Sequence, residues 1–138
     1  MRALLLAIAG HLTVTLGLPV YACPEDALAA SVRLPCLSVA DGSLRVRALA
    51  GGRREEEIEV IVACHVEPHN AESALSGPDG VLEMAARIRD ALEGNLLGLA
   101  GMIEAALAEE EASRLHEWRG RTLLSRRSVF RYLREVTP

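Results

Sequence analysis

Cys64, His65 and His69 stand close together in the sequence and are of the types that ligate zinc. A zinc site needs thiolate and imidazole to converge on one point at about 2.0–2.3 Å. The surrounding run Val60 to Val66 has the composition of a strand, and successive strand residues point to opposite faces, so Cys64 and His65 diverge. A buried structural thiol is the simpler assignment. The other histidines, His11 and His116, are scattered, and none of the four has an Asp or Ser at a recognisable local spacing for activating a nucleophile. Gly94, Gly98 and Gly101 are wrongly spaced for a phosphate loop, and nucleophile elbows, zinc helices and dinucleotide fingerprints are absent. Cys23, Cys36 and Cys64 are an odd, widely spaced set that implies no disulfide framework. No catalytic, cofactor-binding or metal-binding residue is assigned, and the expectation is a protein that is not an enzyme and needs no cofactor.

Charge is the stronger signal. The net charge is −4 and every positive side chain is arginine, because the sequence contains no lysine. That balance argues against generic nucleic-acid binding, which rests on a basic surface neutralising phosphates. One Trp, one Phe and two Tyr also provide little material for stacking on bases. Along the chain, acids outnumber arginines from Glu55 to Glu117, whereas the last twenty residues hold Arg119, Arg121, Arg126, Arg127, Arg131 and Arg134 against Glu135. Glu109, Glu110 and Glu111 are consecutive, and consecutive residues on a helix do not face one another, so a solvated face fits them better than a cation site. Opposed patches on one molecule suit head-to-tail contact between copies. These six arginines and three glutamates are therefore the candidate subunit or partner interface.

The elements that must position these charges are read from periodicity. At 138 residues, half of them apolar, the chain has the length and core material of a single domain, 1–138. Residues 2–17 give an amphipathic helix with Leu5, Ile8, Ala9, Leu12 and Leu16 on one stripe, ended by Gly17 and Pro19. The same stretch also resembles an export signal, with Val20-Tyr21-Ala22-Cys23 as a lipoprotein box. Gly10, His11, Thr13 and Thr15 interrupt its apolar run, and Tyr21 is large where such a box has a small residue. The run is too short and too polar to cross a membrane.

A β-hairpin region is expected over 34–67. Leu34 to Val39 is a strand, Asp41-Gly42 a turn, Ser43 to Leu49 a second strand, and Glu56 to Glu67 a third. A loop centred on Gly52 sets Arg47 opposite Glu57, Arg45 opposite Glu59, Val46 opposite Ile58 and Leu44 opposite Val60. Pro68 to Gly77 is a polar loop. Residues 78–93 form a helix with Val81, Met84, Ala85, Ile88 and Leu92 on one stripe, closed by Gly94-Asn95. In the remaining part, 96–138, Met102 to Glu111 fits helix or strand, and Thr122 to Val136 favours a strand for its Val, Phe and Tyr content. The fold class expected is α+β: a small antiparallel or mixed sheet with a central hairpin, packed against two or three amphipathic helices.

The order of these elements, with Leu-Pro-x-Leu-x-Val (Leu34 to Val39), Glu-Ile-Glu-Val-Ile-Val (Glu57 to Val62), the helix Val81 to Leu92 and the basic Arg-Arg-Ser-Val-Phe-Arg-Tyr-Leu (Arg126 to Leu133), resembles the tail terminator proteins of long-tailed phages and prophages. The resemblance covers most of the chain as a pattern, without a diagnostic signature. It implies a structural virion protein, assembled in the host cytoplasm, that forms a hexameric ring on the tail tube protein and joins it to the head-tail connector protein. It carries over no catalytic residue, and it implies neither membrane nor specific nucleic-acid contact. The alternatives are an exported envelope lipoprotein starting at Cys23, or another neck or tail-completion protein of the same particles.

Overall fold

The computed structural model describes all residues, Met1 to Pro138. It is an α+β fold: a six-stranded mixed sheet carries a helix layer on one face and a short covering segment on part of the other. The strands are β1 (Val20–Tyr21), β2 (Cys36–Ala48), β3 (Arg54–Val66), β4 (Met102–Glu110), β5 (Arg114–Trp118) and β6 (Arg121–Val136). Their order is β1-β2-β3-β6-β4, with β5 also paired to β6; β1 runs parallel to β2 and every other pairing is antiparallel. The helices are α1 (Arg2–Leu16), α2 (Ala71–Ser76) and α3 (Val81–Leu92).

Period-two alternation fixes which face of the central strands is buried. On β3, Ile58, Val60, Val62, Cys64 and Val66 point to the helix layer, joined by Phe130 and Tyr132 from β6 and by Leu37 and Val39 from β2. α1 lays Leu4, Ile8, Leu12 and Leu16 on this face, and α3 adds Val81, Met84, Ile88 and Leu92. Each fully buried side chain of this size contributes about 1.5–3 kcal/mol, so α1 is part of the main core. Its stripe is rotated from the expected one: Leu4 is buried, while Leu5 and Ala9 are only half-buried.

The other sheet face is covered at one end only. There Leu28 and Val32, from the segment after β1, close over Cys36, Trp118 and Leu123 to form a second small core. Toward the opposite end this face is open and lined by charge, including Arg45, Arg47, Glu55, Glu57, Glu59 and Arg131.

Several expectations need correction. Asp41-Gly42 is not a turn: β2 runs through it, and a β-bulge sets Gly42 and Ser43 against Glu59. Glycine suits the spot because a Cβ there would come within 3.0 Å of Glu59. The hairpin register is slipped by two residues from the expected one, pairing Arg45 with Glu57, Arg47 with Glu55, Leu44 with Ile58 and Val46 with Glu56. A slip of two preserves the faces, and it keeps arginine opposite glutamate, so pattern alone did not separate the two registers. The loop is the turn Ala50–Gly52, where Gly51 and Gly52 both take positive φ. Pro68 to Gly77 contains α2, capped by the Asn70 side chain accepting from the Ser73 amide at 3.1 Å. α3 starts at Val81 after Gly80 rather than at Pro78. Met102 to Glu110 is a strand, so Glu109 and Glu110 point to opposite sheet faces.

Candidate assembly surfaces

The candidate charges are brought together mainly within the chain. β6 lies between β3, rich in glutamate, and β4, which ends in Glu109 and Glu110, so the basic end of the sequence is threaded through the acidic stretch. Arg126 donates Nε and Nη2 to Oε2 of Glu110 at 3.1 and 2.7 Å, and Arg89 of α3 donates to Oε1 of the same carboxylate at 3.2 Å. Arg134 donates Nε to Glu56 at 2.7 Å, beneath the sheet surface, where the Glu56 side chain is 7% exposed. Arg131 lies between Glu57 and Glu104 at 3.7 and 3.6 Å, and Arg127 between Glu25 and Glu111 at 3.8 and 3.5 Å. Arg121 grips Glu67 and donates to the carbonyls of Ala30 and Val32, tying the covering segment to β6. The segregation of sign along the sequence thus becomes cross-strand pairing in space.

Arg119 and Glu109 stand outside this network. Arg119 sits at positive φ in the β5–β6 turn with its guanidinium 5.5 Å from the Trp118 ring centre, a cation–π arrangement, and both it and Glu109 are exposed without an ion pair. Arg45 on β2 is likewise exposed and unpaired. Two apolar surfaces add to these. α1 has no charged residue after Arg2, and its outer side exposes Leu6 and Val14, the latter at 86%. Leu44 and Val46 stand out from β2 at 49% and 56% exposure.

One polar group in the interior escaped sequence reasoning. His65 lies at 0% exposure between two hydroxyls, with Nε2 2.9 Å from Ser38 Oγ and Nδ1 2.7 Å from Ser125 Oγ; Ser125 in turn lies 2.9 Å from His116 Nε2. Desolvation, with His116 and Arg114 nearby, brings its pKa down to about 4, so the ring is neutral at neutral pH. A serine beside a histidine has the geometry of an activated nucleophile. Here the place of an orienting carboxylate is taken by Ser125, and Ser38 and Ser125 are 3% and 2% exposed. The trio therefore works as a pin across β2, β3 and β6, the satisfied form of a buried polar cluster. No local signal could have found it, since its members are 27 and 60 residues apart.

Two of the three cysteines, Cys36 and Cys64, are placed for structure. Cys64 points into the main core and Cys36 into the second, and burial raises their pKa values to about 12 and about 11, which suppresses the reactive thiolate. His69 is at the surface, its Nε2 3.3 Å from a Glu67 carboxylate oxygen, well apart in role from the buried His65.

No protein-family model matches the chain, and no curated protein matches it. Among solved structures, a chain from the virion of a native gene transfer agent particle has the same fold, with a TM-score of 0.65 over 96% of this chain and 95% of that one, at 17% sequence identity. No helix is long and apolar enough to cross a membrane.

Proposed function

We propose that this protein is a structural component of a phage-like virion, and specifically a tail terminator: a subunit of a hexameric ring that caps the tail tube and joins it to the head-tail connector. The observation that carries this reading is the likeness in fold to a gene transfer agent virion chain, which covers 96% of this chain and 95% of that one. The order of sequence elements supports the terminator role within that class. Another neck or tail-completion protein of the same particle is the second reading, favoured by the same likeness. Assembly takes place in the host cytoplasm, and the mature protein resides in the virion neck.

The surface chemistry supports a subunit rather than a solitary molecule. The outer side of α1 leaves Leu6 and Val14 in solvent beside Thr13 and Thr15, apolar exposure that nothing within the chain covers. A neighbouring copy covering Leu6 and Val14 resolves this. Arg119 and Glu109, the two candidate charges without an internal partner, are the ones we assign to contact between copies. The envelope alternative is disfavoured by α1: cleavage before Cys23 would remove Leu4, Ile8, Leu12 and Leu16 from a core of 21 buried residues. The direct test is electron microscopy of the full chain mixed with tubes of a tail tube protein from the same kind of particle. Rings seated on tube ends support the terminator role, and tubes left bare refute it.

A further inference from the structure

The two edges of the sheet are treated differently. At the β4 edge, the turn after α3 occupies the outward backbone groups: Gly94 N–H donates to the Ala105 carbonyl at 2.8 Å, and the Leu107 amide donates to the Glu93 carboxylate at 3.3 Å. Two register shifts, around Ile103 and Ala108, further break the regularity of that edge. These are the usual means of blunting an edge strand. The β2 edge is paired by the two-residue β1 at Leu37 and Ser38 and flanked by Pro24 to Asp26 as far as Asp41, and it has no such cover beyond that. Past the bulge at Gly42 the strand Leu44 to Ala48 is regular. The Leu49 amide donates to the Arg53 carbonyl, so by alternation the amides of Leu44, Val46 and Ala48 face outward.

The side chains along this edge specify what it accepts. Leu44 and Val46 stand on one face, half exposed, and Arg45 and Arg47 on the other. Arg45 has no ion pair, because the glutamate opposite it, Glu57, is engaged by Arg131; Arg47 meets Glu55 at 3.3 Å with its own side chain 70% exposed. A strand added here must be apolar at alternate positions and acidic at those between.

We infer that the free edge of β2 is a docking site for an extended segment of a different protein, alternately acidic and apolar, which joins the sheet as an additional strand. A second copy of this chain does not supply it. The β4 edge is capped and bulged, β5 carries Arg114 and His116 on the face that would meet Arg45 and Arg47, and β2 against itself would set arginine against arginine. The site is independent of the ring contacts proposed above, and either can fail without the other.

The test uses the full-length, isotope-labelled protein and a soluble heptapeptide of alternating Glu and Val, with a Lys–Val peptide as control. Amide hydrogen exchange should slow at Leu44, Val46 and Ala48 on adding the Glu–Val peptide, with no change along β4. The Lys–Val peptide should bind about tenfold more weakly, the size expected when two surface charge pairs change sign. Val46→Pro removes an outward amide and should abolish binding. Should that variant misfold, the double variant Arg45→Glu, Arg47→Glu keeps the backbone and should reverse the preference between the peptides. Unchanged exchange at the β2 edge, or equal binding of both peptides, overturns the inference.

Discussion

Arg126 on β6 and Glu110 on β4 form a fork in which two guanidinium nitrogens meet one carboxylate oxygen at 2.7 and 3.1 Å, with side chains 17% and 19% exposed. The other oxygen of Glu110 receives Arg89 from α3, so a single carboxylate joins the helix layer to the sheet. Removing the acid leaves two arginines facing each other in a partly dry site. Glu110→Gln should therefore cost about 1–3 kcal/mol in denaturant unfolding. The adjacent Glu109→Gln, with no internal partner, should stay within about 0.5 kcal/mol. Equal effects from the two would mean that the fork does not anchor α3.

His65 gives the fold an acid limit. Its pKa is about 4 in the folded protein, against 6.5 for the free side chain. Between these values the unfolded chain binds a proton that the folded chain refuses, so stability is full above about pH 6.5 and falls as pH drops toward 4. The loss amounts to as much as about 3 kcal/mol. Urea midpoints measured from pH 7 to pH 4.5 should decline, and His65→Gln should remove most of that slope. An unchanged slope in the variant would assign the acid sensitivity elsewhere.

Gly101 locks the start of β4 to the end of β6. It takes φ +77°, its carbonyl accepts from the Glu135 amide at 2.9 Å, and a Cβ at this position would lie 2.3 Å from the Glu135 carbonyl oxygen. Gly101→Ala should cost about 2 kcal/mol or more, because backbone must move. Gly98→Ala, at φ +66° with open space around it, should cost only the left-handed strain of about 1 kcal/mol. Thermal melting of the two variants side by side separates clash from strain.

Val14 offers a probe of assembly that spares the fold. At 86% exposure it contributes little to the core, so Val14→Asp should leave the monomer's unfolding midpoint within about 0.5 kcal/mol of the parent while preventing ring formation. Arg119→Glu should weaken the ring in the same assay. A variant ring of unchanged size would remove α1 from the subunit contact.

Local chemistry explains what was legible in the sequence. The period-two pattern of Ile58 to Val66 and the stripe of α3 identified the central strand and its covering helix, because each element alternates with its own period. The β-rich composition of Thr122 to Val136 likewise pointed to β6. The register of β2 on β3 was not legible, since Arg–Glu pairs form equally well two residues apart, and only the bulge at Gly42 and the tight loop at Gly51 settle it. For the candidate charges, sequence gave the residues but not their partners. Arg126 meets Glu110 because β4 and β6 are neighbours, a fact of topology that no local pattern contains. The Ser38–His65–Ser125 pin was hidden for the same reason.

The measurement that bears most directly on the account is the native mass of the full-length protein across concentration, at low and at moderate salt. The expected result is a closed ring of six copies that loosens as salt rises, because Arg119 and Glu109 contribute exposed, screenable contacts. A protein that remains monomeric at every concentration and salt, including in the presence of the tail tube protein, would contradict it.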